Sequence, residues 1–183
     1  MSMHNQIVGS LITLALVTAC ATPDSTTSPA PTRGPNLGTT PTTAMLAAMD
    51  ISIPPSGAGL PAGSGNVAQG AKVYEAKCQN CHGAKGEGKP ADPLVGGIGS
   101  LTSGKPMRTV GSYWPYATTL FDYTRRAMPT TAPMSLSNDE VYAVTAYVLH
   151  LNGIVPETAV MNAQTLPQVR MPNRDGFIDY SRK

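Results

Sequence analysis

Charge is scarce in this 183-residue chain. Only 13% of residues are Asp, Glu, Lys or Arg, against ~25% in an ordinary soluble domain. The net charge is +2 and no basic stripe is present, which excludes the electrostatic footprint of a nucleic-acid-binding protein. Aromatic residues are few, with seven Tyr, two Phe and one Trp, so there is little stock for a large apolar core. Three cysteines are an odd count, which argues against a simple disulfide framework. The strongly apolar stretch at residues 7–19 is 13 residues long, short of the ~20 that span a bilayer. The length excludes a multidomain catalytic machine. What the chain has in excess is glycine and proline, 18 and 17 residues, so part of it is not packed core.

The pattern divides the chain into four parts. Residues 7–19 (IVGSLITLALVTA) have the length of a signal-peptide core. They end in Val17-Thr18-Ala19-Cys20, which resembles a bacterial lipobox. That resemblance implies removal of residues 1–19 and acylation of Cys20 as the mature N-terminus. The alternative is an ordinary cleaved signal in which Cys20 is incidental. In residues 21–65, 27 of 45 are Pro, Gly, Ser or Thr. Such a segment buries too little apolar surface to offset chain entropy, so 20–65 reads as a flexible tether, with a helical turn at 43–49.

Residues 66–155 carry helical periodicity. Asn66 is placed to cap a helix running to about Cys81, with Val67, Ala71, Tyr74 and Cys78 on one face. Residues 85–109 are rich in Gly and Pro and read as a long loop. Pro115 suits the first turn of a helix reaching Ala127, with Leu120 and Tyr123 or Thr124 inward. Ser137-Asn138-Asp139-Glu140 is a capping box. Val141, Val144, Val148 and Leu151 come after it at helical spacing, and Gly153 is placed to end that helix. No alternating strand is evident. The fold expected is all-α, small and loop-rich. Residues 156–183 hold three prolines and weak periodicity, and read as an extended strap or a disordered tail.

Cys78-Gln79-Asn80-Cys81-His82 is C-x-x-C-H, the attachment signature of c-type haem. Two thiols three positions apart near a helix end reach two vinyl groups of one porphyrin, and the adjacent His supplies an imidazole nitrogen to the iron. A thioredoxin-like C-x-x-C needs a βαβ context, and no strand precedes this one. A zinc site needs a fourth ligand at suitable spacing, and only His4, His150 and Cys20 remain. One covalent haem c is therefore expected, with Cys78 and Cys81 as thioethers and His82 as a metal ligand.

At these residues the chain resembles the class I cytochrome c family, over about 90 residues. Gly70 and Tyr74 precede Cys78 by eight and four positions. In the family a Gly and an aromatic there pack against the last helix, where Val144 and Tyr147 match the receiving positions. Pro93-Leu94-Val95-Gly96 resembles the family's proline loop, which implies that the Pro93 carbonyl accepts from the second nitrogen of His82. The family's distal ligand is a methionine sulfur. Met128, in Arg125-Arg126-Ala127-Met128-Pro129, is the match. Met134 and Met171 are the runners-up, and Met107 lies close behind His82. His150 near the end of the last helix reads as a surface histidine. Trp114, and with it Tyr113 and Arg108, are candidates to contact the haem propionates.

The run Gly111-Ser-Tyr-Trp-Pro-Tyr-Ala-Thr-Thr-Leu-Phe-Asp-Tyr-Thr-Arg-Arg-Ala-Met-Pro, with 139–153 and Met171-Pro-Asn-Arg-Asp-Gly-Phe, looks like the cytochromes of bacterial sulfur oxidation. These are the c-type subunit of sulfur dehydrogenase and the cytochromes paired with molybdenum sulfite dehydrogenases. The chain departs from the former in lacking a second C-x-x-C-H and in carrying a lipobox. The resemblance implies a lipid-anchored, periplasm-facing carrier of single electrons in a bacterial envelope, not an enzyme on its own. Its donor would be a sulfite- or sulfur-oxidising dehydrogenase and its acceptor another cytochrome or a terminal oxidase. The alternatives are an obligatory haem subunit of such a dehydrogenase, a carrier for another periplasmic dehydrogenase, and a haem-based sensor or peroxidase with an open iron position. Lys72, Lys77, Lys85 and Lys89 gather in sequence around the motif and suggest mild steering toward an acidic partner.

Overall fold

The computed structural model describes residues 37–182. The chain divides into two units, Met1–Pro41 and Thr42–Lys183. The second unit opens with the helical turn α1 (Thr43–Met49), capped by Thr42 and exposed throughout. Next come β1 (Ser64–Asn66), α2 (Val67–Lys77) and α3 (Gln79–His82). After a long loop holding one 3₁₀ turn at Ser100–Thr102 come α4 (Ala117–Ala127), α5 (Asn138–Leu151) and β2 (Val160–Asn162). Among the described residues no helix is long and apolar enough to cross a membrane.

Local signals account for the helix ends. Asn66 caps α2 by accepting from the Gln69 N–H at 2.8 Å, and the Gln69 side chain returns the bond to the Asn66 N–H at 3.0 Å. Ser137 and Glu140 form the same reciprocal box on α5. The helix expected to run to Cys81 breaks at Cys78, whose φ of −123° leaves helical geometry. Its carbonyl then accepts from both Cys81 N–H (3.1 Å) and His82 N–H (3.0 Å), so α3 restarts as a tight turn. Helix α4 begins after Pro115, not on it, because Tyr116 is extended and serves as its cap. Along α5, Leu149 is fully buried and Leu151 only half-buried.

The core is the crossing of α2 with α5, closed by α4. Gly70 sits directly against the Ala143 backbone, where a Cβ would lie 2.7 Å from Tyr147 Cβ and nearer still to the Ala143 carbonyl oxygen. Tyr74 packs on Tyr147 with ring centroids 5.3 Å apart, and Phe121 on Tyr142 at 4.5 Å. Val141, Ala146 and Leu149 complete the interior.

Two expectations need correction. A strand pair exists: β1 and β2 are antiparallel, with Ser64 opposite Asn162, Gly65 opposite Met161 and Asn66 opposite Val160. Three-residue strands carry too little alternation to be read locally, and their partners lie far apart in sequence. The tether, expected to reach residue 65, gives way earlier to packed chain. Ile53 is buried, and its N–H donates to Asp122 Oδ1 at 3.1 Å. Tyr142 donates to the Pro61 carbonyl at 2.9 Å, Asn138 to that of Ala62, and Ser64 N–H to Asp139 Oδ1 at 2.8 Å. Side chains of α4 and α5 thus satisfy a Pro/Gly-rich backbone that composition alone marks as unpacked. Past α5 the chain forms a strap. Its own Met161, Leu166 and Met171 are buried, and its Asn173 donates to the Tyr113 carbonyl at 2.7 Å.

Candidate haem site

Helix α2 delivers the motif. Its break at Cys78 turns Cys78, Cys81 and His82 toward a cavity of about 500 Å³, within the size range of cofactor sites. Leu94 and Val110 from the loop, Leu120 from α4, and Val144 and Val148 from α5 supply apolar walls. Lys77, Asn80, Thr130, Thr131 and Ser135 also line the space. Among the described residues Lys77 is the only Lys or Arg in that lining, and Glu140 holds its ammonium at 2.9 Å. Lys72, Lys85 and Lys89 do not line the cavity.

The proximal geometry differs from expectation by one residue. His82 Nδ1 lies 2.9 Å from the carbonyl oxygen of Asp92, not that of Pro93. Pro93 is half-buried and does not line the cavity. It comes directly after the accepting carbonyl and fixes the chain there through its locked φ. A proton on Nδ1 makes that bond and leaves Nε2 with its lone pair free for a metal. Tyr74 adds a second tie, because its hydroxyl donates to the Gly83 carbonyl at 2.8 Å, next to His82. Burial pushes the Tyr74 phenol well above its ordinary range, so it remains a donor. Burial likewise pushes the Cys78 thiol up to about 11.

Of the four candidate methionines, Met128 lines the cavity and the others do not. Met128 is the residue that ends α4. Met134 and Met107 are exposed, and Met171 is a buried side chain of the C-terminal strap. Trp114 lines the cavity and meets Tyr123 edge-on, with ring centroids 5.6 Å apart. Arg108 lies over the Tyr113 ring and Arg126 pairs with Asp122. Neither they nor Arg125 line the cavity. His150 faces the Val155 carbonyl and lies outside it. Cys20 falls outside the described residues.

Sequence reading missed two supports. The Tyr74 hydroxyl had no partner visible at short range. Asn152 sits beside the Gly153 expected to end α5 and has no local mark of its role, yet two hydrogen bonds tie it to the loop and a third to Val148 of α5. An Asn ahead of a Gly reads as a helix stop whether or not its amide reaches another segment.

The donor set suits haem c. Two thiols, an imidazole with a free nitrogen and a thioether border an apolar cavity of cofactor size, a donor set that would attach a haem covalently and offer nitrogen and sulfur to its iron.

Fold and site together define a c-type cytochrome. The cytochrome c family model matches residues 67–152. Among solved structures, the chain is similar to a chain of the sulfane dehydrogenase SoxCD from Paracoccus pantotrophus. The two share 40% identity over 80% of this chain and 73% of that one, with a TM-score of 0.75. The protein belongs to the cytochrome c family, of class I, and is an electron-transfer haem protein with covalently bound haem c. A search of curated proteins finds no match.

Proposed function

We propose that this chain is a monohaem cytochrome that passes single electrons from a sulfur-compound-oxidising dehydrogenase to a further redox protein in the bacterial envelope. Bound haem supplies an iron that cycles between Fe(II) and Fe(III). Cys78 and Cys81 would attach it through their thiols, and His82 Nε2 and Met128 Sδ would supply nitrogen and sulfur to the iron. The Asp92 carbonyl orients the imidazole and raises its basicity. Leu94, Val110, Leu120, Val144 and Val148 would keep water from the iron, and Trp114, which also lines the cavity, would contact a propionate.

The observation that carries the reading is the convergence of Cys78, Cys81, His82 and Met128 on one apolar cavity. Met128→Ala should abolish the methionine–Fe(III) charge-transfer band and lower the potential, because the lost thioether favours Fe(II). Met134→Leu should leave both unchanged. A band that survives Met128→Ala refutes the ligand assignment.

The likeness to a chain of a sulfane dehydrogenase favours a second reading, a subunit held permanently by its donor. Native purification separates the two. A stoichiometric complex that survives high salt is a subunit, whereas a cytochrome recovered alone and reduced on mixing is a carrier. The lipobox resemblance supports anchoring through Cys20 on the periplasmic face. Acyl chains together hold a protein far more firmly than one chain does. Cys20→Ser should move the protein from the membrane to the soluble fraction, and a variant that stays membrane-bound in high salt removes the anchor from the account.

A further inference from the structure

We infer that Asn152, at the end of α5 and outside the haem cavity, is a positioning residue for His82. By holding the 92–96 segment in place it sets the strength of the His82–Asp92 hydrogen bond, and through that bond the redox potential. This rests on His82 being the iron ligand, the reading proposed for the site.

Asn152 is buried, and both its amide hydrogens and its amide oxygen are hydrogen-bonded. Nδ2 donates to the Val148 carbonyl of its own helix at 2.9 Å and to the Leu94 carbonyl at 3.1 Å. Oδ1 accepts from the Gly96 N–H at 3.2 Å. These bonds fix the amide orientation, since the flipped form would aim Oδ1 at two carbonyls and Nδ2 at an N–H. A side chain at position 111 would collide with this amide, so Gly111 leaves room for it.

The two loop residues it holds, Leu94 and Gly96, stand just downstream of the carbonyl that meets His82. Only Pro93, with its fixed φ, separates Asp92 from Leu94. Gly96 and Gly97, at φ +95° and +70°, make the next stretch of backbone permissive. Upstream, the Leu94 and Val95 N–H groups share one acceptor, the Gly86 carbonyl. The Ala91 N–H donates to the Cys81 carbonyl at 2.9 Å and Thr109 Oγ1 to the Gly96 carbonyl at 2.6 Å, and the buried Asn152 amide adds to these a tie from the end of α5. Leu94, Val110 and Val148 all line the cavity, and the Leu94 carbonyl also accepts from Val110 N–H at 3.2 Å. Asn152 thus ties both the histidine's acceptor and the cavity wall to the last helix.

The sign comes from ligand chemistry. A firm Nδ1–H···O bond makes the imidazole a stronger donor, which favours Fe(III) and lowers the potential. Loosening Asp92 weakens the bond and raises the potential.

The test uses the full haem-loaded chain. Asn152→Ser keeps a hydroxyl able to bond the Val148 carbonyl one turn back, but is too short for Leu94 and Gly96. Asn152→Leu removes all three bonds while keeping the same heavy-atom branching. Met161→Ala is the control, because Met161 is buried beside β1 and does not line the cavity. The readouts are the midpoint potential and the exchange rate of the His82 Nδ1 proton, measured by NMR on the reduced protein. Both Asn152 variants should raise the potential and exchange that proton several-fold faster. Met161→Ala should do neither, although it lowers stability. Wild-type potential and exchange in Asn152→Ser, or an equal shift in Met161→Ala, overturns the inference. Should Asn152→Leu not load haem, Asn152→Ser decides alone. A wild-type His82 ring without haem-induced shifts would refute the ligand assignment itself and so separates the two failures.

Discussion

Replacing Gly70 with Ala probes the α2–α5 crossing that carries the haem motif. In an isolated helix the change would be favourable by about 0.8–1.0 kcal/mol. Here the added Cβ would lie 2.6 Å from Ala143 C and 2.7 Å from Tyr147 Cβ, and closer to the Ala143 carbonyl oxygen. Two of these are backbone atoms, so no side-chain rotation relieves the contact, and the helices must part by about 1.5 Å to reach ordinary packing. Overpacking of a tight core costs ~1–3 kcal/mol, and rigid backbone neighbours put this case at the upper end. After the propensity gain, a net loss of about 2 kcal/mol remains. At this chain size that corresponds to a fall in Tm of roughly 4–8 °C. The assay is thermal unfolding of the haem-loaded protein by circular dichroism. Gly104→Ala is the control, since nothing lies within 4 Å of a Cβ there and its φ is not positive. It should leave Tm unchanged or slightly raised. A Gly70→Ala protein as stable as wild type would show that α2 and α5 do not cross this closely. Because α2 leads directly into Cys78, haem incorporation should fall together with stability.

Asp122→Ala removes the acceptor of the buried Ile53 N–H and the partner of Arg126. An orphaned buried donor costs ~1–3 kcal/mol, so limited proteolysis should cut residues 51–62 faster, while Asp122→Asn, which keeps an acceptor oxygen, should be cut more slowly than Ala; equal cutting of wild type and Ala would refute the role. The Ser137 N–H, and after it Lys77, hold the Glu140 carboxyl below the usual carboxylate range. With its folded pKa depressed, Glu140 contributes stability above the ordinary glutamate value of about 4.3, and that contribution is lost as pH falls through the folded pKa. The Tm gap between wild type and Glu140→Gln should therefore be present at neutral pH and shrink on acidification. A gap of constant size from pH 7 to pH 3 contradicts the assignment.

Much of the site is legible in the primary structure because it rests on short-range chemistry. C-x-x-C-H places two thiols and an imidazole within one helical turn. The capping residues Asn66 and Ser137 open α2 and α5 through bonds to residues three positions on. Gly70 and Tyr74 keep helical spacing on the face that meets α5. Met128 is the favoured methionine on position in the chain, and it is the one that reaches the cavity. What tertiary structure decided lies in contacts between distant segments. Residues 64–66 pair with 160–162, and Gly65 of that pair packs directly against the Ala143 backbone. The seating of residues 53–65 depends on Asp122, Asp139 and Tyr142. The Asp92 carbonyl, not that of Pro93, meets His82 because loop conformation, invisible in composition, aims that peptide. A helix cap closes within one turn of chain, so its partners are written next to one another. An amide such as Asn152, which bonds residues 56 and 58 positions away, acquires its role only when the helices pack and bring the loop against it.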